Sequence, residues 1–323
     1  MKKRKIGNLE VSAIGLGCMG FSHAYGQPTE RTEAERLIRK AADLGYTFFD
    51  TAECYTGINA DGSISYNEEL VGKALSPIRD KVVIASKFGV RHMGDHLEMD
   101  SSPETIRRSI EGSLKRLGTD TIDLYYQHRI DPKVEPETVA EVMAELIKEG
   151  KIRYWGISET DEEYLRRADK VCKVTAIENR YSMLATRHEA LFPVCEELNV
   201  GYVAFSPLGN GFLTGKYTSS DKFSEGDFRG FMPQYTEEGF TAAKEILDLM
   251  GQMSKEKNAS MAQLSLAWML AKKPYIVPIP GSRKEERLEE NAGAADVKMS
   301  DSEIRKIDAL LETLSIPVFG GHS

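Results

Sequence analysis

Short apolar runs rich in Val, Ile, Phe and Tyr alternate with helix-like stretches along nearly the whole chain, and that alternation leaves few folds open. Eight strand-like runs lie near residues 14–17, 47–50, 81–86, 121–127, 152–157, 174–178, 201–205 and 276–280. Between them, ERTEAERLIRKAADLG, SPETIRRSIEGSLKRLG and PETVAEVMAELIKEG carry apolar residues at spacings of three and four, with acidic starts and glycine stops. The pattern predicts parallel strands buried under helices, an α/β fold. Ahead of it, KRKIG, a turn at Asn8 and VSAIGLG predict a hairpin feeding the first strand. The repetition is of strand and helix, not of domains. No linker or shift in composition divides the chain, so residues 1–323 read as one domain, a length within the range of a single α/β barrel.

Polar residues stand at the ends of three of these runs: Asp50 and Tyr55 after TFFD, Lys87 after KVVIAS, and His128 after TIDLYYQ. In a parallel barrel the strand C-termini share one face, so these four would converge there. A free phenol, with a pKa of roughly 10, gives up its proton poorly at neutral pH unless its anion is stabilised. Lys87 beside Tyr55 would lower that pKa, and Asp50 would keep Lys87 charged and oriented. His128 would donate to a carbonyl oxygen or orient the substrate. Tyr55 is then the general acid. A carbonyl protonated at oxygen must receive hydride at carbon, which no side chain supplies, so a nicotinamide cofactor is implied.

The segments FFDTAECYTG, VVIASKFG, DLYYQHR, YWGISE, FSPLGNGFLTGK and PIPGSRKEERLEEN, in that order from near residue 15 to near residue 295, resemble the aldo-keto reductase superfamily. The resemblance implies a (β/α)8 TIM barrel with an N-terminal β-hairpin and a long loop after strand 7. It also implies a catalytic tetrad of Asp50, Tyr55, Lys87 and His128, and NADPH held without a Rossmann domain. The expected reaction is reduction of an aldehyde or ketone to an alcohol. Some relatives instead serve as redox-sensing regulatory subunits that bind NADP and turn over little; they lack part of the tetrad, and the presence of His128 argues for the enzyme.

The cofactor signal is strongest after the last strand, in GSRKEERLEEN, where Gly281, Ser282 and Arg283 are predicted to open a helix carrying Arg287, Glu290 and Asn291. A helix N-terminus with a hydroxyl and two guanidinium groups suits a dianionic phosphate monoester such as the 2'-phosphate of NADP, favouring NADPH over NADH. By resemblance, Glu290 and Asn291 bind the adenine amino group. The glycines of FSPLGNGFLTGK would let backbone amides approach a pyrophosphate. There the resemblance places Phe205 on the nicotinamide face, where many relatives carry Tyr, and Ser206, Pro207, Leu208, Gly211 and Lys216 along the pyrophosphate. Stacking needs only the ring face, so that exchange costs little. It also places Cys18, Met19 and Asp50 against the cofactor, and Ser158 and Glu178 at the nicotinamide carboxamide. Relatives usually carry Gln where Glu178 stands. Gln both donates and accepts, whereas an ionised Glu only accepts. Glu178 either bonds the amide NH2 alone or pairs with Arg180, which stands where relatives usually carry Glu.

Two connections exceed what a minimal barrel needs, residues 56–66 and 217–235, and both belong on the catalytic face. The second is expected to fold over the cofactor, with Phe228 and Arg229 as contacts. Met19, His23, Tyr25, Phe88, Arg91, His92 and Arg129 are candidates for the substrate pocket. Cys54, beside Tyr55, could make activity sensitive to oxidation. The C-terminal VFGGHS reads as a frayed end.

Other classes are disfavoured. His23 and His92 lack the HxH or carboxylate companions of a metal site, so no metal is expected. With 42 Lys and Arg against 50 Asp and Glu, and no basic tract, nothing points to nucleic acid. No apolar run approaches the roughly 18 residues of a membrane span, and MKKRKIGNLE lacks the apolar core of a signal peptide, which suggests a cytoplasmic protein. Cys18, Cys54, Cys172 and Cys195 are far apart, without CxxC spacing, and read as reduced thiols. Whether the chain forms a homo-oligomer stays open.

Overall fold

The computed structural model describes residues 1–94 and 96–319. An antiparallel hairpin, β1 (Lys3–Ile6) and β2 (Leu9–Ser12), comes first. The chain then makes β3 (Leu16–Gly17) and β4 (Phe48–Asp50), an antiparallel pair β5 (Thr56–Ile58) and β6 (Ile64–Tyr66), and β7 (Val83–Phe88). A further antiparallel pair, β8 (Val90–His92) and β9 (Leu97–Met99), precedes β10 (Ile122–Gln127), β11 (Ile152–Ser158), β12 (Ala176–Arg180), β13 (Gly201–Phe205) and β14 (Ile276–Pro278). Strands β3, β4, β7, β10, β11, β12, β13 and β14 lie side by side in that order, each parallel to the next. A hydrogen bond from Gly15 N–H to the Pro278 carbonyl, 3.0 Å, brings the last strand to the first and closes the expected (β/α)8 barrel.

Helices cover the outside where the sequence periodicity put them, over Arg31–Asp43, Pro103–Leu117 and Pro136–Lys148. The second shows the logic: Ser102 caps it by accepting from Thr105 N–H, Pro103 occupies its first turn, and Gly118 ends it in the left-handed region at φ +64°.

Alternation along the strands sorts the core into two layers. Phe49, Ile84, Tyr125, Ile177, Tyr202 and Ile276 face the helices, while Phe48, Ala85, Leu124, Tyr126, Ala176, Val203 and Val277 fill the barrel. Ile6 and Val11 of the hairpin join the inner layer and plug it. Two glycines make room: a Cβ at Gly156 would lie 2.4 Å from the Tyr126 ring, and one at Gly201 only 2.3 Å from Ile6. Two residues beyond the inward Phe48, Ala85, Ala176 and Val203 stand Asp50, Lys87, Glu178 and Phe205. The pleat therefore delivers a carboxylate, an ammonium, a second carboxylate and an aromatic ring to one end of the barrel.

Several boundaries differ from expectation. Strand β7 runs through Lys87 to Phe88 rather than stopping at 86, and β12 spans 176–180, so Glu178 lies inside its strand rather than at its end. Residues 56–66 are a β-hairpin, not an irregular loop, turning at Asp61–Gly62. The helix after the last strand covers Glu285–Gly293 and begins beyond Ser282 and Arg283. Segment 217–235 carries two short 3₁₀ turns, Phe228–Phe231 and Pro233–Tyr235. Of the tail read as frayed, Val318 is buried and Phe319 N–H bonds Gln234 Oε1 at 3.1 Å, whereas residues 320–323 lie outside the described residues. Among the described residues no helix is long and apolar enough to cross a membrane.

Candidate active site

Lys87 is wholly buried at the mouth of the barrel. Its Nζ donates to Asp50 Oδ1 at 2.5 Å and to the Thr51 carbonyl at 3.0 Å, and lies 3.3 Å from Glu178 Oε1 and 5.1 Å from the centre of the Tyr55 ring. Burial works against its charge, but Asp50 and then Glu178 outweigh it, so the amine is held above its ordinary pKa and stays an ammonium. Glu178 thus pairs with Lys87 across the barrel. The alternative pairing with Arg180 is not formed: Arg180 Nη1 donates to the Phe319 carbonyl, and its guanidinium lies over the Phe205 and Phe319 rings.

The Tyr55 phenol does not follow the expected direction. Burial pushes its pKa up, Lys87 opposes, and Asp50 and Glu178 push it further up, because two carboxylates offset the one ammonium. Tyr55 therefore presents an O–H throughout the neutral range, the form a proton donor needs. Lys87 remains the group that eases formation of the phenolate.

His128 lies edge-on to Tyr55, with ring centres 5.7 Å apart. Burial, reinforced by Arg129 and Lys87, drives its pKa well below the ordinary histidine value, so the ring is neutral. Cys54 Sγ lies 3.4 Å from His128 Nδ1. Burial pushes that thiol up to about 12, so it is an S–H, which donates to Nδ1 when the ring proton is on Nε2 and accepts through sulfur when it is on Nδ1. In the first arrangement the ring proton sits on Nε2, ready to donate to an oxygen. A buried thiol with a raised pKa is unreactive, which removes the expectation of oxidation sensitivity at Cys54.

Around this centre the expected cofactor residues form an arc. Phe205 ends β13, its ring flanked by Arg129 at 5.7 Å and Arg180 at 5.5 Å. Ser158 Oγ donates to the Glu178 carbonyl at 2.8 Å and accepts from Arg129 Nη1 at 3.1 Å. Residues 206–211 make a compact turn with left-handed φ at Ser206, Gly209, Asn210 and Gly211, a run of backbone amides of the kind that binds anions. It includes the buried Pro207 and the partly buried Leu208, and leads to the exposed Lys216. Ser282 Oγ accepts from Lys284 N–H at 3.1 Å, and Arg283 donates to the carbonyls of Tyr25 at 2.9 Å and Gln27 at 3.0 Å. Arg287 pairs with Glu290, and Asn291 is buried. The hydroxyl and two guanidinium groups thus come from a loop and a helix, not from one helix N-terminus. Gly281 packs on the first strand, where a Cβ would lie 2.8 Å from Gly17 O. The polar groups of Cys18 are committed within the protein: its backbone N–H bonds the Asp50 carbonyl, its carbonyl accepts from Asn67, and its thiol is buried. Met19 packs beside Cys54 and Tyr55.

Arg229 is committed within its own segment. Its Nε and Nη2 bond the two oxygens of Asp227 at 3.0 and 2.6 Å, and Nη1 bonds Tyr217 Oη at 2.7 Å, with the Phe223 ring 4.6 Å away. The segment docks on the loop after β3 through Gly26 N–H to Gly226 O and Phe228 N–H to Ala24 O, making residues 217–235 a fastened strap. Tyr25 receives Asn210 Nδ2 on its hydroxyl at 2.9 Å and so belongs to this junction rather than to the substrate pocket. Phe88 is core, packed on Tyr125. His23 stacks 5.9 Å from Tyr55 and 4.7 Å from His92, and that pair does border the centre. Among the described residues no group of three His, Cys, Asp or Glu is placed to hold a metal.

The sequence and fold have clear relatives. A profile of the Aldo/keto reductase family matches residues 13–312. An NADP(+) aldo-keto reductase of Schizosaccharomyces pombe is 39% identical over 94% of this chain and 89% of its own length. A probable aldo-keto reductase of Glycine max is 40% identical over 92% and 85%. Among solved structures, a glycerol dehydrogenase of Gluconobacter oxydans superposes with a TM-score of 0.85 at 26% identity, covering 99% of this chain and 98% of that one. An aldo/keto reductase of Klebsiella pneumoniae in complex with NADP and acetate gives 0.72 at 29% identity, covering 100% and 98%.

Proposed function

The chain belongs to the aldo/keto reductase family, and we propose that it is an NADPH-dependent reductase of aldehydes or ketones in which Tyr55 is the general acid. The observation that carries the reading is the buried Lys87 ammonium, 5.1 Å from the Tyr55 ring and bonded to Asp50 at the mouth of the barrel. When bound, NADPH supplies the hydride that reduces the carbonyl carbon.

Tyr55 donates its proton to the carbonyl oxygen, and Lys87 stabilises the phenolate left behind. Asp50 keeps Lys87 charged and fixed. The Nε2 proton of His128 bonds the same oxygen and orients the substrate. Phe205 offers a ring face for stacking, and the backbone of residues 206–211, with Lys216, suits a pyrophosphate. Ser282, Arg283 and Arg287 supply a hydroxyl and two cations suited to a 2'-phosphate, which supports NADPH over NADH. The strap at 217–235 would cover the cofactor without using Arg229 as a free contact. All four tetrad groups stand at the same end of the barrel, which supports turnover and gives the regulatory-subunit alternative no footing. The four free cysteines and the acidic charge balance support a cytoplasmic enzyme with a small-molecule partner and no nucleic acid. Incubation with NADPH and an activated aromatic aldehyde tests the reading: one alcohol should form per NADPH consumed, and no alcohol across a panel of aldehydes and ketones would refute it.

A further inference from the structure

One ammonium at the mouth of the barrel faces two carboxylates. Lys87 Nζ lies 2.5 Å from Asp50 Oδ1 and 3.3 Å from Glu178 Oε1, and all three side chains are buried. Among the described residues no other ion pair reaches either carboxylate. The remaining oxygen of each, Asp50 Oδ2 and Glu178 Oε2, is buried without a hydrogen-bond partner. With both groups ionised, the cluster would carry a surplus negative charge away from water and two acceptors with nothing to accept, a costly arrangement. A single proton removes the surplus charge and gives the two carboxyl groups, which interact side chain to side chain, a donor to share.

We propose that Asp50 and Glu178 hold one proton between them at neutral pH, so that Lys87, one carboxylate and one carboxyl form a neutral trio beneath Tyr55. Glu178 is its main seat: burial and then the charge of Asp50 push that carboxyl up to about 8, against the pull of Lys87; burial raises Asp50 as well, but its shorter bond to Lys87 and its contact with Glu178 oppose that rise. The other groups facing the trio are Tyr55 and Tyr126, whose phenols burial holds high, Cys18 and Cys54, whose thiols burial also holds high, and His128, whose imidazole burial holds neutral. None of these changes charge near neutrality, so the two carboxyls titrate as a coupled pair. A neutral carboxyl, like a carboxamide, has both a donor and an acceptor.

The consequence for the cofactor rests on the reductase reading above. Loss of the proton places a full negative charge beside the nicotinamide position, favouring the cationic oxidised ring over the neutral reduced one. The affinity ratio of NADP(+) to NADPH should rise about threefold to tenfold between about pH 6.5 and about pH 9.5, a change of up to about one pKa unit in coupling.

Infrared titration of the protein without cofactor tests the proton directly, and fluorescence titration with each cofactor tests its effect. The expected result is a buried carboxyl band at neutral pH that bleaches with a midpoint near 8 and is missing in Glu178→Gln. The affinity ratio should rise in the wild type and stay flat in that variant. Asp50→Asn, which leaves one carboxylate against one ammonium, should also lose the band and serves if Glu178→Gln does not fold. A wild type without the band, or a band unchanged in both variants, would overturn the shared proton. A flat affinity ratio beside the expected infrared titration would overturn the nicotinamide placement and leave the proton standing.

Discussion

Cys54 Sγ and His128 Nδ1 meet across 3.4 Å, a buried contact that ties the histidine tautomer to the residue adjacent to Tyr55. The thiol cannot ionise near neutrality, and the imidazole cannot take up a proton there, so the bond is a neutral donor meeting a neutral acceptor. With the thiol as donor, Nε2 is the protonated nitrogen, the form that can hold a carbonyl oxygen in place for Tyr55.

Replacing Cys54 by Ala should therefore lower kcat/KM about threefold to tenfold, the equivalent of one modest hydrogen bond, while Cys54→Ser, which keeps a donor, should stay close to wild type. Nitrogen NMR of labelled histidine should show the Nε2-protonated form in the wild type and in the Ser variant, and a tautomer mixture in the Ala variant. An unchanged spectrum in Cys54→Ala would remove Cys54 from this role.

Stability should depend on pH through Glu178 in a defined direction. Its folded-state pKa is raised by burial from 4.5 to about 8, so the folded chain holds a proton that the unfolded chain releases. That stabilisation is fully present below about 4.5 and is lost as pH rises through about 8. Thermal melts should show Tm falling across this window more steeply in the wild type than in Glu178→Gln. His128 acts in the opposite sense: its lowered pKa makes the folded state refuse a proton below the ordinary 6.5, so stability is lost on acidification, and His128→Asn should blunt that loss.

The barrel and tetrad were legible because both follow from local pattern. Apolar strands with helices at fixed intervals specify the ring, and Asp50, Lys87 and His128 stand at strand ends that a parallel barrel brings together. Glu178 stands out in the sequence, but of the two readings open for it the pairing with Arg180 does not form, and its pairing with Lys87 is not among them. An exchange of charges with Arg180 accounts for the residue by family pattern alone, whereas the pleat turns Glu178 inward to Lys87, three strands away in the ring order. Counting in twos from the inward Ala176 and Ala85 would have found that meeting. The direction of the Tyr55 shift is not legible in the sequence because its largest cause is burial, with Asp50 and Glu178 adding to it, and burial depends on the packed fold. The Asp61–Gly62 turn between Thr56–Ile58 and Ile64–Tyr66 was a readable hairpin signal. The commitments of Arg229 to Asp227 and of Arg283 to Tyr25 and Gln27 depend on how loops dock, which no local periodicity encodes.

Cofactor choice should move with the two arginines near the last strand. Arg283→Ala is expected to weaken NADPH binding about tenfold to a hundredfold, the value of a charged hydrogen-bonded contact, with little effect on NADH. Arg287→Ala should do less, because Arg287 already spends part of its charge on Glu290. Equal losses for both cofactors in Arg283→Ala would place that residue away from the 2'-phosphate.

The strap should loosen when Arg229 is removed. Arg229→Ala leaves Asp227 nearly buried without its cation and frees Tyr217, so residues 217–235 should become cleavable by protease and the cofactor should leave faster in stopped-flow chase experiments. Protease resistance equal to wild type would mean that the backbone bonds of Gly26 and Phe228 hold the strap without it.

The most direct measurement is steady-state oxidation of NADPH with an activated aromatic aldehyde by the wild type and by Tyr55→Phe, with NADPH affinity measured in both by fluorescence. Turnover should fall by about a hundredfold to ten-thousandfold in the variant, as expected for loss of a general acid, with NADPH binding nearly unchanged. Near-normal turnover in Tyr55→Phe would contradict the assignment of Tyr55 as the proton donor and, with it, the role given to Lys87.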